Sequence, residues 1–309
     1  MAVAVNTLRQ PTWTSIGTNV EMSTTIGDVL DTAGLNYEVF TRPIYLDNGI
    51  KIPDRVATVN DSTGKIYGVV SDKYKLCQNV EAFQFIANID DKLSFVKAGE
   101  TQSGMVYIIA KLDDVNVLGD IFTPYVIFQN GHNGIYTLKT TICPLRIVCN
   151  NQFSMAFSHS SNNINIRHSN KLDVQMKEAA KLLKNTATYM KNFEATAEEL
   201  ASIKITNELD LIKHFFEVGH NITEMADRQI TTMNDKITAL YNTYKYAEDN
   251  ANFQGTAWGL LNGFTDYTTH LIPQRTTKTS DESKFVTVTM DPRIIGNFVK
   301  FMREYTMTR

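Results

Sequence analysis

Arg146 and Arg167 stand in a stretch of chain that holds no carboxylate. No Asp or Glu occurs between Asp120 and Asp173, in a chain with 33 acidic and 30 basic residues. The stretch contains Lys139, Arg146, Arg167, Lys171 and three histidines, His132, His159 and His168. Continuing to Lys191 adds Lys177, Lys181, Lys184 and Lys191 against Asp173 and Glu178. Eight bases against two acids give a local charge of +6, while the whole chain carries −3, so the remainder carries −9. A guanidinium offers a planar fork of donors that suits phosphate, and no carboxylate close in sequence competes for it. Asn150, Asn151, Ser158 and the run from Ser160 to Asn163 add neutral donors for phosphate or sugar oxygens. This composition predicts a groove that follows a polyanion backbone without reading its sequence. The expected contacts are Lys139, Arg146, Asn150, Asn151, Arg167, His168, Lys171, Lys177, Lys181 and Lys184. Buried strands followed by an ordinary solvated lysine-rich helix would give the same composition, and that is the competing reading.

Other chemistry finds less support. Asp61-Ser62-Thr63-Gly64-Lys65 looks like a phosphate loop, but it lacks the first glycine and the hydroxyl residue after the lysine. It sits between strands and reads as a hairpin turn. No Gly-x-Ser-x-Gly and no His-Glu-x-x-His occurs. The pairs Asp90-Asp91 and Asp113-Asp114 are neighbours in sequence, so their side chains point apart and do not suit a two-metal site. His159, His168 and the cysteines carry no metal-ligand spacing. Cys77, Cys143 and Cys149 read as buried structural thiols, not as a disulfide framework. Tyr241, Tyr244 and Tyr246 beside Lys245 have the composition of a base-stacking platform, but at helical spacing they read as core. Phe215, Phe216, Trp258, Phe264 and Tyr267 read as core or interface aromatics. No catalytic constellation emerges, so an enzyme ranks last, and no cofactor is expected.

The elements that must position these residues follow from periodicity. Residues 1–22 read as an arm, with Trp13 anchoring it to the body. A short helix follows, capped by Ser or Thr near Thr24-Thr25 and stopped at Gly34. NYEVFTRPIYL, RVATVND and IYGVVSDKYKLCQ read as three strands, with turns at Asp47-Asn48-Gly49 and Ser62-Thr63-Gly64-Lys65. Asn79 is expected to cap a helix with apolar residues Val80, Phe83, Phe85, Ile86 and Ile89. Two further hairpins turn near Gln102-Ser103-Gly104 and at Asn130-Gly131-His132-Asn133-Gly134. Pro144 predicts an edge or a bulge in the last arm. NNQFSMAF reads as a short helix and INIRH as an extended piece. Helical patterns cover about 171–201, about 207–248 and the segment TAWGLLNGFTDYTTHL. A polar loop over 273–283, a strand FVTVTM and a helix from Pro292 complete the chain. The predicted class is α+β: an antiparallel, hairpin-rich sheet packed on long helices, with a mainly helical C-terminal part. The expected divisions are 1–22 (arm), 23–200 (core with sheet and long helix) and 201–309 (helical region).

A chain of 309 residues with 43% hydrophobic and 20% charged content is an ordinary globular composition. No apolar run approaches the roughly 20 residues that span a bilayer. The first residues lack a basic segment followed by an apolar one, which predicts no signal peptide and a cytoplasmic location.

Five segments run the length of the chain, PTWTSIGT, VNDSTGKIYGVVSDKYKLCQNVEAF, TICPLRIVCNNQFSMAF, IRHS and GTAWGLLNGFTDYTTH, and the last four are specific in order and spacing. On these the sequence resembles a family of uncharacterised phage/plasmid-like proteins, which implies origin in a mobile element and a bacterial host. The order of strands followed by a long helix is similar, more distantly, to the core of phage single-strand annealing proteins of the Rad-type fold. That likeness implies an oligomeric single-stranded DNA-binding and annealing protein acting in recombination or replication. Its implied partners are single-stranded DNA, further copies of itself in a ring or filament, and a host or phage single-strand-binding protein or exonuclease, with no membrane. The arm with Trp13 and the strand broken at Pro144 are the expected assembly elements. The alternative is a phage or plasmid protein that binds a host factor, for example to counter host defence.

Overall fold

The computed structural model describes residues 10–84, 86, 93–154, 163–166, 186–272 and 277–307, and all structural statements refer to these. The arm forms β1 (Thr18–Asn19) and leads to α1 (Ile26–Thr32). Thr25 caps α1: its hydroxyl accepts from the Asp28 amide while the Asp28 carboxylate accepts from the Thr25 amide, a reciprocal capping box. Three antiparallel strands follow, β2 (Val39–Tyr45), β3 (Lys51–Asn60) and β4 (Ile66–Ser71), forming a small sheet in that order. The phosphate-loop-like segment is the β3–β4 turn, closed by the Asn60 side chain on the Ser62 and Thr63 amides, with Gly64 at φ +69°.

After α2 (Asn79–Gln84) come β5 (Ser94–Glu100), β6 (Met105–Lys111), β7 (Val115–Val117), β8 (Asp120–Gly131) and β9 (Leu138–Arg146). Two short pieces, β10 (Asn151–Gln152) and β11 (Asn163–Ile166), also join this larger sheet. Its order is β1-β5-β6-β8-β9-β10, with β7 beside β8 and β11 beside β9, and every pairing is antiparallel. The second half is helical: α3 (Thr186–Ser202), α4 (Glu208–Glu217), α5 (Asp227–Tyr246), α6 (Ala257–Asp266), α7 (Ser280–Phe285) and α8 (Arg293–Met307). The fold is α+β, as the sequence predicts.

The larger sheet is buried on both faces, which is why β6 reads as an unbroken apolar run. Val106, Ile108 and Ala110 point into the main core with Phe122, Phe153, Phe193 and Trp258. The rings of Phe122, Phe193 and Trp258 meet at centroid distances of 5.1–6.3 Å, so α3 and α6 close on the sheet through aromatic contacts. Met105, Tyr107 and Ile109 point the other way, against Trp13, Phe285 and Met290. Trp13 is 3% exposed and lies 4.7 Å from the ring of Tyr125, so the arm is anchored to its own body.

Three local expectations are corrected and one is narrowed. FVTVTM is not a strand: α7 and a wider π-type turn, Val286–Met290, take it instead. Asp281 and Glu282 favour a helix start there, and the buried Thr289 hydroxyl bonds Thr12 and Gln152. Tertiary contacts thus override the β-branched alternation. The bulge alternative at Pro144 does not arise; Pro144 stands at a local edge, with no strand paired to the outer side of β9 there among the described residues. It lies opposite Pro124 within β9, between the residues paired to β11 and those paired to β10, where neither neighbour requires its missing N–H. Asn79 is not a cap but the first residue of α2, with its side chain turned into the core. Asn151–Gln152 form a strand and not the start of a helix.

Candidate nucleic-acid interface

Of the residues that the sequence nominates for a groove, Lys139, Arg146, Asn150 and Asn151 are described, and three of them turn inward. Arg146 sits at the end of β9, paired with Phe122 at the start of β8, and is 1% exposed. Its Nε donates to Asp120 Oδ2 at 2.9 Å, and its Nη2 also lies 2.7 Å from that oxygen. Nη1 donates to Asp249 Oδ2 at 2.8 Å and Nη2 to the Asp249 carbonyl at 2.7 Å. Two carboxylates therefore hold the guanidinium, which corrects the expectation that none competes for it. Arg146 is a buried tie between the sheet and the helical region, not a phosphate contact. One partner, Asp120, is the very residue that bounds the acid-free stretch. The other stands 103 positions away, beyond any sequence window.

Lys139 is half-buried and donates from Nζ to the Met290 carbonyl at 2.7 Å. Burial holds its ammonium below the usual lysine range, so it too serves the interior and is corrected as a contact. Asn151 is 1% exposed and donates to the Asn262 carbonyl at 3.4 Å, which corrects it as a surface donor. Asn150 adopts φ +55° in the turn after β9, a left-handed conformation that asparagine tolerates. Arg167, His168, Lys171, Lys177, Lys181 and Lys184 lie outside the described residues, as do Ser158, His159 and the run from Ser160 to Asn162.

The described residues on either side of that basic segment both meet β9. Before it, Ile166 pairs with Leu138 on β9. After it, Tyr189 in the first turn of α3 donates to the Ile142 carbonyl of the same strand at 3.4 Å. Residues 167–185 lie in sequence between these two contacts and outside the described residues. They carry Arg167, Lys171, Lys177, Lys181 and Lys184 against Asp173 and Glu178.

A second polar cluster escaped sequence reasoning. Glu100, at the end of β5, accepts from Tyr37 Oη at 2.5 Å and from Tyr67 Oη at 3.1 Å, and its other oxygen pairs with Lys65. These groups, with Asp31, Asn36 and Asn60, line a cleft of about 370 Å³ between the two sheets. Burial pushes both tyrosine hydroxyls above their ordinary range, and the Glu100 carboxylate adds to that. Neither phenol ionises near neutrality, and both of the carboxylate's oxygens are engaged, so the cluster does not constitute a general base. It works as a clamp that docks the small sheet on the large one. Behind it His132 is fully buried and meets Asn79 Oδ1 at 3.1 Å, where Asn130 also donates at 3.1 Å. No spacing in the sequence unites residues 37, 65, 67 and 100.

Cys77, Cys143 and Cys149 are free and buried, as the sequence predicts, and burial pushes Cys143 and Cys149 up to about 12. Trp258, Phe264 and Tyr267 are core, while Phe215 and Phe216 pack half-buried against it. Tyr244 is buried on Glu208, but Tyr246 is exposed. No group of three or more metal-ligating side chains occurs among the described residues, and no described helix is long and apolar enough to cross a membrane.

Compared with known protein families, residues 66–287 match DUF932, a domain of unknown function. The chain belongs to the DUF932 family. The matched span of this family member begins at β4, covers the large sheet apart from β1 and ends just past α7. No curated protein and no solved structure matches the chain.

Proposed function

We propose that this DUF932 protein binds single-stranded DNA and anneals it, as an oligomer, in the recombination or replication of a phage or plasmid. The observation that carries this reading is a basic sequence segment, 167–185, between two residues that contact β9, Ile166 on one side and Tyr189 on the other. With Lys139 and Arg146 committed to the interior, the proposed contacts are Arg167, Lys171, Lys177, Lys181 and Lys184, with His168 among them. The sequence resemblance to phage/plasmid-like proteins supports the mobile-element setting, and a bacterial cytoplasm follows from it. The partners are single-stranded DNA, further copies of the chain, and a single-strand-binding protein or exonuclease of host or phage.

Fluorescence anisotropy with labelled single- and double-stranded oligonucleotides tests this. Four phosphate contacts on a single strand give a logarithmic salt slope of about −3, or roughly 50-fold weaker binding at 200 mM than at 50 mM salt. Replacing Lys171, Lys177, Lys181 and Lys184 together by Ala should remove most of that slope and leave the thermal midpoint in place. No binding at 50 mM salt, or a slope unchanged by the four substitutions, overturns the reading.

A second reading, an interaction protein that captures a host factor, is favoured by one observation. The outer face of the small sheet exposes Phe40, Ile66 and Val69 to solvent. Pull-down from host lysate by a chain that shows no affinity for nucleic acid would support it.

A further inference from the structure

Four Asn-Gly steps occur in the chain: Asn48-Gly49, Asn130-Gly131, Asn133-Gly134 and Asn262-Gly263. Each sets a glycine amide, with no side chain to shield it, beside an asparagine side-chain carbonyl. A five-membered succinimide ring closes from that pairing. Closure needs two freedoms: the asparagine side chain must turn onto the next backbone nitrogen, and that nitrogen must give its proton to solvent. The fold withholds these freedoms at three of the steps.

Asn130 is fully buried and pairs with Val106 of β6, and its Nδ2 donates to the Cys77 carbonyl and to Asn79 Oδ1, both at 3.1 Å. Asn133 is pinned from both ends of its side chain. Its Nδ2 donates to the Ser103 carbonyl at 2.9 Å, and its Oδ1 accepts from the Ile135 and Tyr136 amides at 2.9 and 3.2 Å. Asn262 is buried within α6, and its Nδ2 donates to the Trp258 carbonyl at 2.9 Å. Its neighbour Gly263 lies so close to Tyr244 that an added Cβ would stand 2.6 Å from the tyrosine Cβ. Reaction at any of these three requires local unfolding of the surrounding structure.

Asn48-Gly49 stands at the tip of the β2–β3 hairpin, where both residues are exposed, as are Tyr45, Leu46 and Ile50 around them. Gly49 adopts φ +78°, and nothing lies within 4 Å of the place a Cβ would take. The turn is held by the Gly49 amide on the Leu46 carbonyl at 2.9 Å and by the Ile50 amide on Asn48 Oδ1 at 3.1 Å. Both bonds belong to an exposed loop tip, where opening costs little free energy.

We propose that Asn48 is a site of spontaneous modification in the folded protein, and that it reacts ahead of the other three steps. The Gly49 nitrogen bonds to Cγ of Asn48, its proton passes to solvent base, and the side-chain nitrogen takes up a proton and leaves as ammonia. Water then opens the ring at either carbonyl and leaves aspartate or isoaspartate. Either product adds one negative charge beside Asp47. Isoaspartate also routes the backbone through Cβ, one atom longer, in a loop of three residues between Leu46 and Ile50. The bond from the Leu46 amide to the Ile50 carbonyl, 2.8 Å long, does not fit that longer loop. The isoaspartyl tip becomes a methyl acceptor for a carboxyl methyltransferase of isoaspartyl chains. None of this depends on nucleic-acid binding.

The test is peptide mapping by mass spectrometry of the whole chain aged at mildly alkaline pH, folded and in denaturant. An isoaspartyl methyltransferase with S-adenosylmethionine serves as the probe for isoaspartate. In the folded chain Asn48 should be modified at least about 100-fold faster than Asn130, Asn133 or Asn262, because opening free energies rise from near zero at loop tips to the global value in the core. In denaturant the four should react at similar rates. Asn48→Ser should remove most of the methyl acceptance of the folded chain and leave circular dichroism unchanged. An Asn48 that stays intact in the folded chain while the denatured chain is modified overturns the proposal. So does a folded chain modified first at one of the other three steps, or methyl acceptance that Asn48→Ser leaves intact.

Discussion

Arg146 shows how a side chain with the chemistry of a phosphate contact becomes a structural ion. Its planar fork is filled by Asp120 on one edge and by Asp249 on the other, with burial to 1% exposure. Truncation would leave two partly buried carboxylates facing each other with no cation. Breaking a buried pair in this way costs on the order of 3 kcal/mol. Arg146→Ala is therefore expected to lower the urea midpoint markedly, while the fraction still folded binds single-stranded DNA as the wild type does. Equilibrium unfolding beside anisotropy separates the two effects; a variant that is fully stable but binds weakly would return Arg146 to the surface role. The sequence made the residue conspicuous but could not assign it, because the decisive partner lies 103 positions away.

At the scale of elements, the arm depends on one close approach. Gly17 adopts φ +67°, and a Cβ there would lie 2.7 Å from the Ala98 carbonyl oxygen of β5. Gly17→Ala should therefore detach β1 and expose the β5 edge, with a thermal midpoint several degrees lower and faster proteolysis within residues 10–20. An unchanged melting curve would show that β1 contributes nothing to the sheet. Elements fixed by local chemistry were legible: the Thr25 cap, the Asn60-to-Lys65 turn and the hairpin at Asn130–Gly134 all follow from residues within a few positions of each other. Elements fixed by distant partners were not. Val286–Met290 alternates like a strand, yet the Thr289 hydroxyl meets Thr12 and Gln152 across the molecule. Pro144, by contrast, signals an edge by its missing N–H, and among the described residues no strand pairs with the outer side of β9 at that position. The candidate interface was half legible: composition located the basic segment, but which cations remain on the surface depends on packing.

For the molecule as a whole, burial of protonated groups predicts alkaline sensitivity. Cys143 and Cys149 move from an ordinary value of 9.0 to about 12, and Tyr74 from 10.0 to about 12. Between about 9 and 12 the folded chain keeps protons that the unfolded chain has released, so stability falls as pH rises through that window. The thermal midpoint at pH 10.5 should lie clearly below that at pH 8; an equal midpoint would mean that these groups ionise in the folded state as they do in water. The clasp of Thr12, Gln152 and Thr289 has a consequence for biosynthesis. The Thr12 and Thr289 hydroxyls meet at 2.9 Å across 277 positions. At about 5–20 residues per second, a ribosome needs roughly 15–55 s to deliver the second after the first. For that interval Thr12 waits without its last partner, and the Tyr107 face of the sheet waits for Phe285 through 178 residues of it. The nascent chain thus shows an unfinished apolar surface for more than half of its synthesis, so deleting ribosome-associated chaperones of the expression host should reduce soluble yield before it affects the finished protein.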